Sequence, residues 1–451
     1  MTGPLTGPNN SPVGANRAEA AGVTPPNIVV LMSDDQRLNS FQTMPTVRQE
    51  LIAKGTRYVG FSSTSTCCPS RSSFLSGQFS HTTGVYNNVD RHYGGWPAFN
   101  ASGYEDQTIA TALQSAGYRT GLVGKYLNRW NRAPDGFVPP GWDLFRAIYT
   151  SDGQGGGAYY DYELRGTGPN EVFGANPEDY STDVIADRAV QFVETNPAGQ
   201  PFFLLVTPYG PHDPFTPAPR DINSWRPPST YDTDAVNEAD MSDKPPFMQN
   251  LSAISRARID WTQDKTGEAL RSVDDVAAQL IQALGDQMSN TLFIYTSDNG
   301  VMWGEHRLEG KYRPYHWATD YPLVMRWDNH LPIEKRNRLV PNVDVAATIL
   351  DAANVDPGWT MEGRSVLDSF RNSVVLEAIE VPEHPAYCGV RQKKWLYVQW
   401  SDNQGTELYD YTHDPLELNN LAGRPDYEVK EADLRARAMR LCDPTPPGFS
   451  W

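Results

Sequence analysis

The sequence predicts an α/β fold with a central, mostly parallel sheet flanked by helices, plus a smaller C-terminal antiparallel sheet. Three observations predict it. Residues 27–32, 201–207 and 291–296 are continuous apolar runs, the pattern of strands buried on both faces. Helical patterns at residues 108–116, 181–194 and 255–284 alternate with such runs, as parallel connections require. After about residue 363 the texture turns to short β-rich runs at 387–391, 395–400 and 407–410, closed by a helical pattern at 427–439. The expected division is an arm over residues 1–25, a main domain over 26–363 and a C-terminal α+β unit over 364–451.

Residues 1–26 are rich in Gly, Pro, Asn and Ala and hold no apolar stretch of the kind a secretory leader carries, so a flexible arm is expected. The first strand then delivers Asp34-Asp35 at its carboxyl end, where open α/β sheets bind ligands. Adjacent carboxylates repel, and a cation between them relieves this; a solvated turn is the plainer reading. A helix over residues 46–54 and a return strand from residue 55 lead to Cys67-Cys68-Pro69-Ser70-Arg71. Ser65 and Thr66 suit a turn and Pro69 an early helical position. Cys67 then stands at a helix N-terminus that favours an anion, with Arg71 one turn on along the same face. A buried cysteine pair capping a helix is the alternative.

The strand at 119–123 ends in Gly124-Lys125-Tyr126-Leu127-Asn128. Lys125 is an ordinary surface lysine unless an oxyanion pocket adjoins it. Residues 131–177 read as loop, with Tyr149, Tyr159, Tyr160 and Tyr162 offering an aromatic wall. The strand at 201–207 runs into Pro208-Tyr209-Gly210-Pro211-His212-Asp213-Pro214, whose prolines stiffen the turn, either to aim one imidazole or to shape a loop. Residues 221–250 read as a long loop or lid. The strand at 291–296 ends in Ser297-Asp298-Asn299-Gly300, with His306, Lys311 and His316 beyond it, and a strand at 321–327 and a helix at 343–353 follow.

A net charge of −17 argues against nucleic acid or an anionic membrane surface as partner. It also disfavours a long sulfated polymer spread over the surface, while one anionic group in a locally basic pocket is allowed. No run reaches the roughly 18 apolar residues of a membrane span. Cys388 and Cys442 form either a disulfide, implying an extracytoplasmic or secreted setting, or two lone thiols compatible with the cytoplasm.

Cys67-x-Pro69-Ser70-Arg71-x-x-x-Leu75-Ser76-Gly77 resembles the signature of type I sulfatases, with Ser76 where Thr is usual. Asp34-Asp35, Gly124-Lys125, Pro211-His212, Asp298-Asn299-Gly300, Gly304-Glu305-His306-Arg307 and Lys311 stand in that family's order, and the likeness runs from about residue 26 to the end. The resemblance implies an alkaline phosphatase-like sandwich, one bound calcium ion, and oxidation of Cys67 to Cα-formylglycine by a formylglycine-generating enzyme. It implies Asp34, Asp35, Asp298 and Asn299, with an oxygen of modified Cys67, as calcium ligands. Arg71 is then expected to hold the aldehyde hydrate. Lys125, His212 and Lys311 are expected on the sulfate oxygens, His212 being the candidate proton donor, and His306 in the catalytic set. Gly124 to Asn128, with the double cysteine, resembles N-acetylglucosamine-6-sulfatases; Leu127 stands where other members carry His, and Asn128 cannot act as a base. Asn128 and His316 are expected substrate contacts.

The expected activity is hydrolysis of an O-sulfate ester on a small or chain-end sulfated sugar. Two alternatives stand beside it: a phosphonate monoester or phosphodiester hydrolase on the same scaffold, and a non-catalytic glycan-binding relative with Cys67 unconverted.

Overall fold

A computed structural model describes residues 24–150 and 158–451, so most of the expected arm lies outside the described residues. The apolar runs form the middle of a ten-stranded sheet. Its strands are β1 (Asn27–Ser33), β2 (Thr56–Phe61), β3 (Arg119–Gly124), β4 (Leu144–Tyr149), β5 (Tyr162–Gly166), β6 (Glu171–Phe173), β7 (Phe202–Thr207) and β8 (Thr291–Ser297). After a two-residue pair, β9 (Met302–Trp303) and β10 (Glu309–Gly310), come β11 (Asp320–Arg326) and β12 (Glu334–Pro341). The order is β12-β2-β11-β8-β1-β7-β3-β4-β5-β6.

The block β8-β1-β7-β3-β4 is parallel, while β11 and the β5–β6 edge run antiparallel to their neighbours. The sheet is therefore mixed, with its parallel part in the centre. Successive residues of β1 explain why the run is apolar throughout. Ile28, Val30 and Met32 join one core; Val29 and Leu31 join the other. The Cys67–Ser76, Ile109–Ser115 and Asn342–Ala353 helices pack through Phe74, Leu113 and Ile349 on the first face. The Ser181–Glu194 and Arg256–Leu284 helices pack through Ile185 and Val273 on the second.

Three local expectations are corrected. Residues 131–177 are not simply loop, because they supply the buried β4 and the short, partly exposed edge strands β5 and β6. Residues 46–54 form a π-helical turn followed by a 3₁₀ turn rather than one α-helix. The C-terminal sheet has four strands, β13 (Val374–Ala378), β14 (Tyr387–Arg391), β15 (Trp395–Trp400) and β16 (Thr406–Asp410), and the first carried no expectation. Cys388 and Cys442 are joined as a disulfide, tying β14 to the end of the last helix.

Candidate active site

Every parallel strand in the centre ends on the same edge, and the chemistry-bearing residues follow those ends. Asp34 and Asp35 follow β1, Asp298 and Asn299 follow β8, Lys125 follows β3, and the rigid turn to His212 follows β7. Gly124 is required at the last position of β3. Its φ is +119°, and a Cβ there would lie 2.2 Å from the Thr207 carbonyl oxygen. Asp35 takes a left-handed φ of 59°, and its backbone N–H donates to Asp298 Oδ1 at 3.0 Å, locking the two strand ends together.

Onto this edge the Cys67–Ser76 helix points its N-terminus. Cys67 Sγ lies 3.5 Å from Asp34 Oδ1 and 3.8 Å from Asp35 Oδ1. Lys311 Nζ donates to Cys67 Sγ at 2.7 Å, to both Asp35 oxygens at 2.7 Å, and approaches His212 Nε2 at 3.1 Å. Lys125 pairs with Asp34. Arg71 binds Asp298 Oδ2 through Nε at 2.9 Å and lies 3.4 Å from Asp34 through NH2. Asp34, Asp35, Cys67, Arg71, Lys125, Asp298 and Asn299 are all buried, and His212 is partly open.

Burial and then the Asp34 charge push the Cys67 thiol up, against the pull of Lys125 and Lys311. A plain cysteine here stays protonated and is a poor nucleophile. Burial works to raise Asp34, but Lys125, His212 and Arg71 outweigh it and hold that carboxyl at about 2. Burial likewise opposes the charge on Lys311, yet Asp35, Cys67 and Asp34 carry it well above the ordinary lysine value. His212 Nδ1 lies 2.7 Å from the Asp213 carbonyl oxygen, so Nδ1–H donates there and Nε2 is left as the acceptor facing Lys311.

The donor set fits a hard cation. Asp34, Asp35, Cys67 and His212 bring one ligand atom each within 4.8 Å of one another. Asn299 Oδ1 is buried with no hydrogen-bond partner, the mark of an oxygen meant for a ligand that is not protein.

A cavity of about 650 Å³ opens beside the cluster, lined by Asn88, Lys125, Asn128, Tyr159, Tyr160, Tyr209, His212, Asp213 and Tyr312 among others. Asn128 therefore stands where a substrate contact was expected. Tyr159 and Tyr160 build the wall; Tyr149 instead lies under Arg165 and Tyr162 stacks on Phe173. Asn88, Tyr209 and Asp213 carried no expectation of their own. Tyr209 and Asp213 sit in the proline-stiffened turn, which was the one available signal. Asn88, whose Oδ1 accepts from the Cys68 N–H at 2.8 Å, had none.

Two expected site residues are placed elsewhere. His306 is fully buried, its Nδ1 2.5 Å from Glu238 Oε2, and it packs against Tyr315 and Trp317. His316 bonds Glu417 Oε2 at 3.1 Å and lies over Trp317. Neither lines the cavity, and each ring is engaged by a glutamate rather than turned to the Cys67 cluster. Both sit near Lys311 in sequence, but their rings turn toward the C-terminal unit.

A family model described as sulfatase matches residues 26–355. The chain belongs to the sulfatase family. A second model, the C-terminal region of N-sulphoglucosamine sulphohydrolase, matches residues 304–443. The chain is 33% identical over 356 residues to a Caenorhabditis elegans protein named putative extracellular sulfatase Sulf-1 homolog, covering 76% of the chain but only 48% of that relative. The chain thus spans about half the length of that relative, and 31% of a Drosophila melanogaster one. It is 30% identical to human N-acetylglucosamine-6-sulfatase over 94% of this chain and 86% of the other. Among solved structures, a complex with D-glucosamine-2-N,6-O-disulfate has TM-score 0.72 at 23% identity, covering 94% of this chain and 99% of that one. A phosphonate monoester hydrolase of Agrobacterium radiobacter has TM-score 0.71 at 19% identity, covering 92% and 95%. These structures share the fold.

Proposed function

We propose that this sulfatase hydrolyses the O-sulfate ester of a small or chain-end sulfated amino sugar. The observation that carries the reading is the seat of Cys67, a buried sulfur touched at once by two carboxylates and by Lys311, in a cluster whose Lys125 and His212 line a sugar-sized cavity. The names of the N-acetylglucosamine-6-sulfatase relatives support the amino sugar.

Asp34, Asp35, Asp298 and Asn299, with an oxygen of residue 67, would hold calcium. When present, calcium and a Cα-formylglycine at position 67 supply a Lewis acid for the sulfate oxygens and a hydrated aldehyde as nucleophile. The chain's own groups do the remaining work. Lys125 and Lys311 are fixed, desolvated cations that grip sulfate oxygens where negative charge grows. Arg71, anchored on Asp298, orients position 67 from the helix side. His212 Nε2, facing Lys311 Nζ at 3.1 Å, is placed to carry a proton taken up from solvent to the departing alcohol oxygen, while Lys311 keeps its own charge. The Tyr159, Tyr160 and Tyr209 rings exclude water from the sugar's apolar faces.

The disulfide and the relatives named extracellular support a place outside the cytoplasm. Among the described residues no helix is long and apolar enough to cross a membrane. Maturation requires a formylglycine-generating enzyme as partner.

The test is turnover of N-acetylglucosamine 6-sulfate against a phosphonate monoester at equal concentration, with intact-mass measurement of the Cys67 peptide. Conversion of Cys67 with preferential sulfate release is expected. Preferential phosphonate cleavage, or an unconverted thiol from a host that holds the maturation enzyme, would overturn the reading.

A further inference from the structure

The cavity is electrically lopsided. Its cations lie at the floor, where Lys125 and His212 line it and Lys311 touches His212 at 3.1 Å. Among the described residues its walls are neutral: the tyrosines, Asn88 and Asn128. Asn128 is only 9% exposed, and its amide leaves Oδ1 with no hydrogen-bond partner. The exception is Asp213, exposed at the rim beside His212. Its carboxylate makes no hydrogen bond or ion pair among the described residues. Its charge is nonetheless felt inside. Burial, then Tyr180, Tyr209, Asp34 and Asp213 together, drive the Tyr159 phenol well above its usual value.

A ligand that seats one sulfate on the floor cations meets amides, rings and one free carboxylate with the rest of its body. Hydroxyls, an amide or an ammonium are welcome there, since each can donate to an unpaired acceptor. A second sulfate would face Asp213 with every lining cation already committed to the first. Between unit charges several ångströms apart in a partly desolvated cleft, such repulsion is worth roughly tenfold in affinity.

We propose that the cavity selects an amino-sugar sulfate bearing a single anionic group, and that Asp213 is the residue that rejects a second sulfate on the same ring. This rests on the sulfatase reading of the site and names its substrate class more narrowly.

The experiment measures kcat/KM of the full, Cys67-converted chain for glucosamine 6-sulfate, N-acetylglucosamine 6-sulfate and glucosamine 2-N,6-O-disulfate, with 4-nitrophenyl sulfate as a sugar-free ester. The expected result is a preference of roughly tenfold for the two monosulfates. In Asp213→Asn the preference should narrow at least threefold, chiefly through KM of the disulfate. Asp213→Ser gives the same reading if the Asn variant does not accumulate. Equal or better turnover of the disulfate, or a preference unmoved by both substitutions, overturns the selectivity while leaving sulfate hydrolysis intact. Failure on all four esters overturns the functional reading and this proposal with it.

Discussion

Two of the buried charge clusters among the described residues do different things. One is the strand-end cluster around Cys67. The other joins Glu238, Lys244, His306, His316 and Glu417 between the 221–250 segment, the stretch that carries Lys311, and the C-terminal unit. In the second, Glu238 is matched by His306 at 2.5 Å and Lys244 at 3.1 Å, while Glu417 is matched by His316 at 3.1 Å and by Tyr411. Burial would raise Glu417, but His316 and His306 drag it far below the usual carboxylate range. No cavity adjoins those groups among the sites described. The first cluster keeps an unpaired Asn299 oxygen and opens onto about 650 Å³ of space; in the second, His306 Nε2 also makes no hydrogen bond but faces Glu417 Oε2 at 3.9 Å. Buried charge alone therefore does not mark a reactive centre. Unspent hydrogen-bonding capacity beside open space does, whereas a network closed on itself is a joint.

That contrast can be broken or sharpened by measurement. Cys67→Ala should lower sulfate-ester turnover by a thousandfold or more, on the order expected for loss of a nucleophile, with little change in melting temperature. Near-native turnover in that variant would erase the distinction. Lys311→Ala should cost roughly a hundredfold in kcat, because a fixed cation at the developing charge is lost. Glu417→Ala should do the reverse of these: destabilise by about 3–5 kcal/mol by stranding His316 and His306, with a smaller loss of kcat in the protein that remains folded. A Glu417 variant as stable as wild type but inactive would make the second cluster catalytic after all.

Chelation of calcium should lower turnover and melting temperature together, since binding to the native state alone stabilises it; an unchanged melting curve counts against the carboxylate site. The smallest effect is expected at His81, held between Glu362 at 3.0 Å and Glu377 at 2.9 Å. Burial lowers its proton affinity, but the two glutamates win and raise it from 6.5 to about 10. The stability it contributes is complete below pH 6.5 and is lost as pH rises through about 10. His81→Gln should flatten stability between those limits, read from urea unfolding at pH 7 and 10.

Much of this was legible beforehand, for a physical reason. Strands buried on both faces must be apolar throughout, so β1, β7 and β8 announce themselves, and the polar residues just past them mark the ligand edge. The short, partly exposed β5 and β6 bury too little to leave a pattern, and they vanished, with the buried β4 before them, into what looked like loop. Among site residues, Asp34, Asp35, Cys67, Arg71, Lys125, His212, Asp298, Asn299 and Lys311 converge because strand ends converge. His306 and His316 lie away from that convergence, because nearness to Lys311 along the chain says nothing about which way a ring turns. Asn88 was invisible, since its role is a bond to the Cys68 backbone that no spacing encodes.

The tie between Asn299 and Asp35 spans 264 positions of chain. A shortened protein ending before residue 298 would keep β1, β3, β7 and the Cys67 helix yet lose two oxygen donors and a lysine at once. The site is thus complete only when the two distant stretches of chain have come together across the sheet.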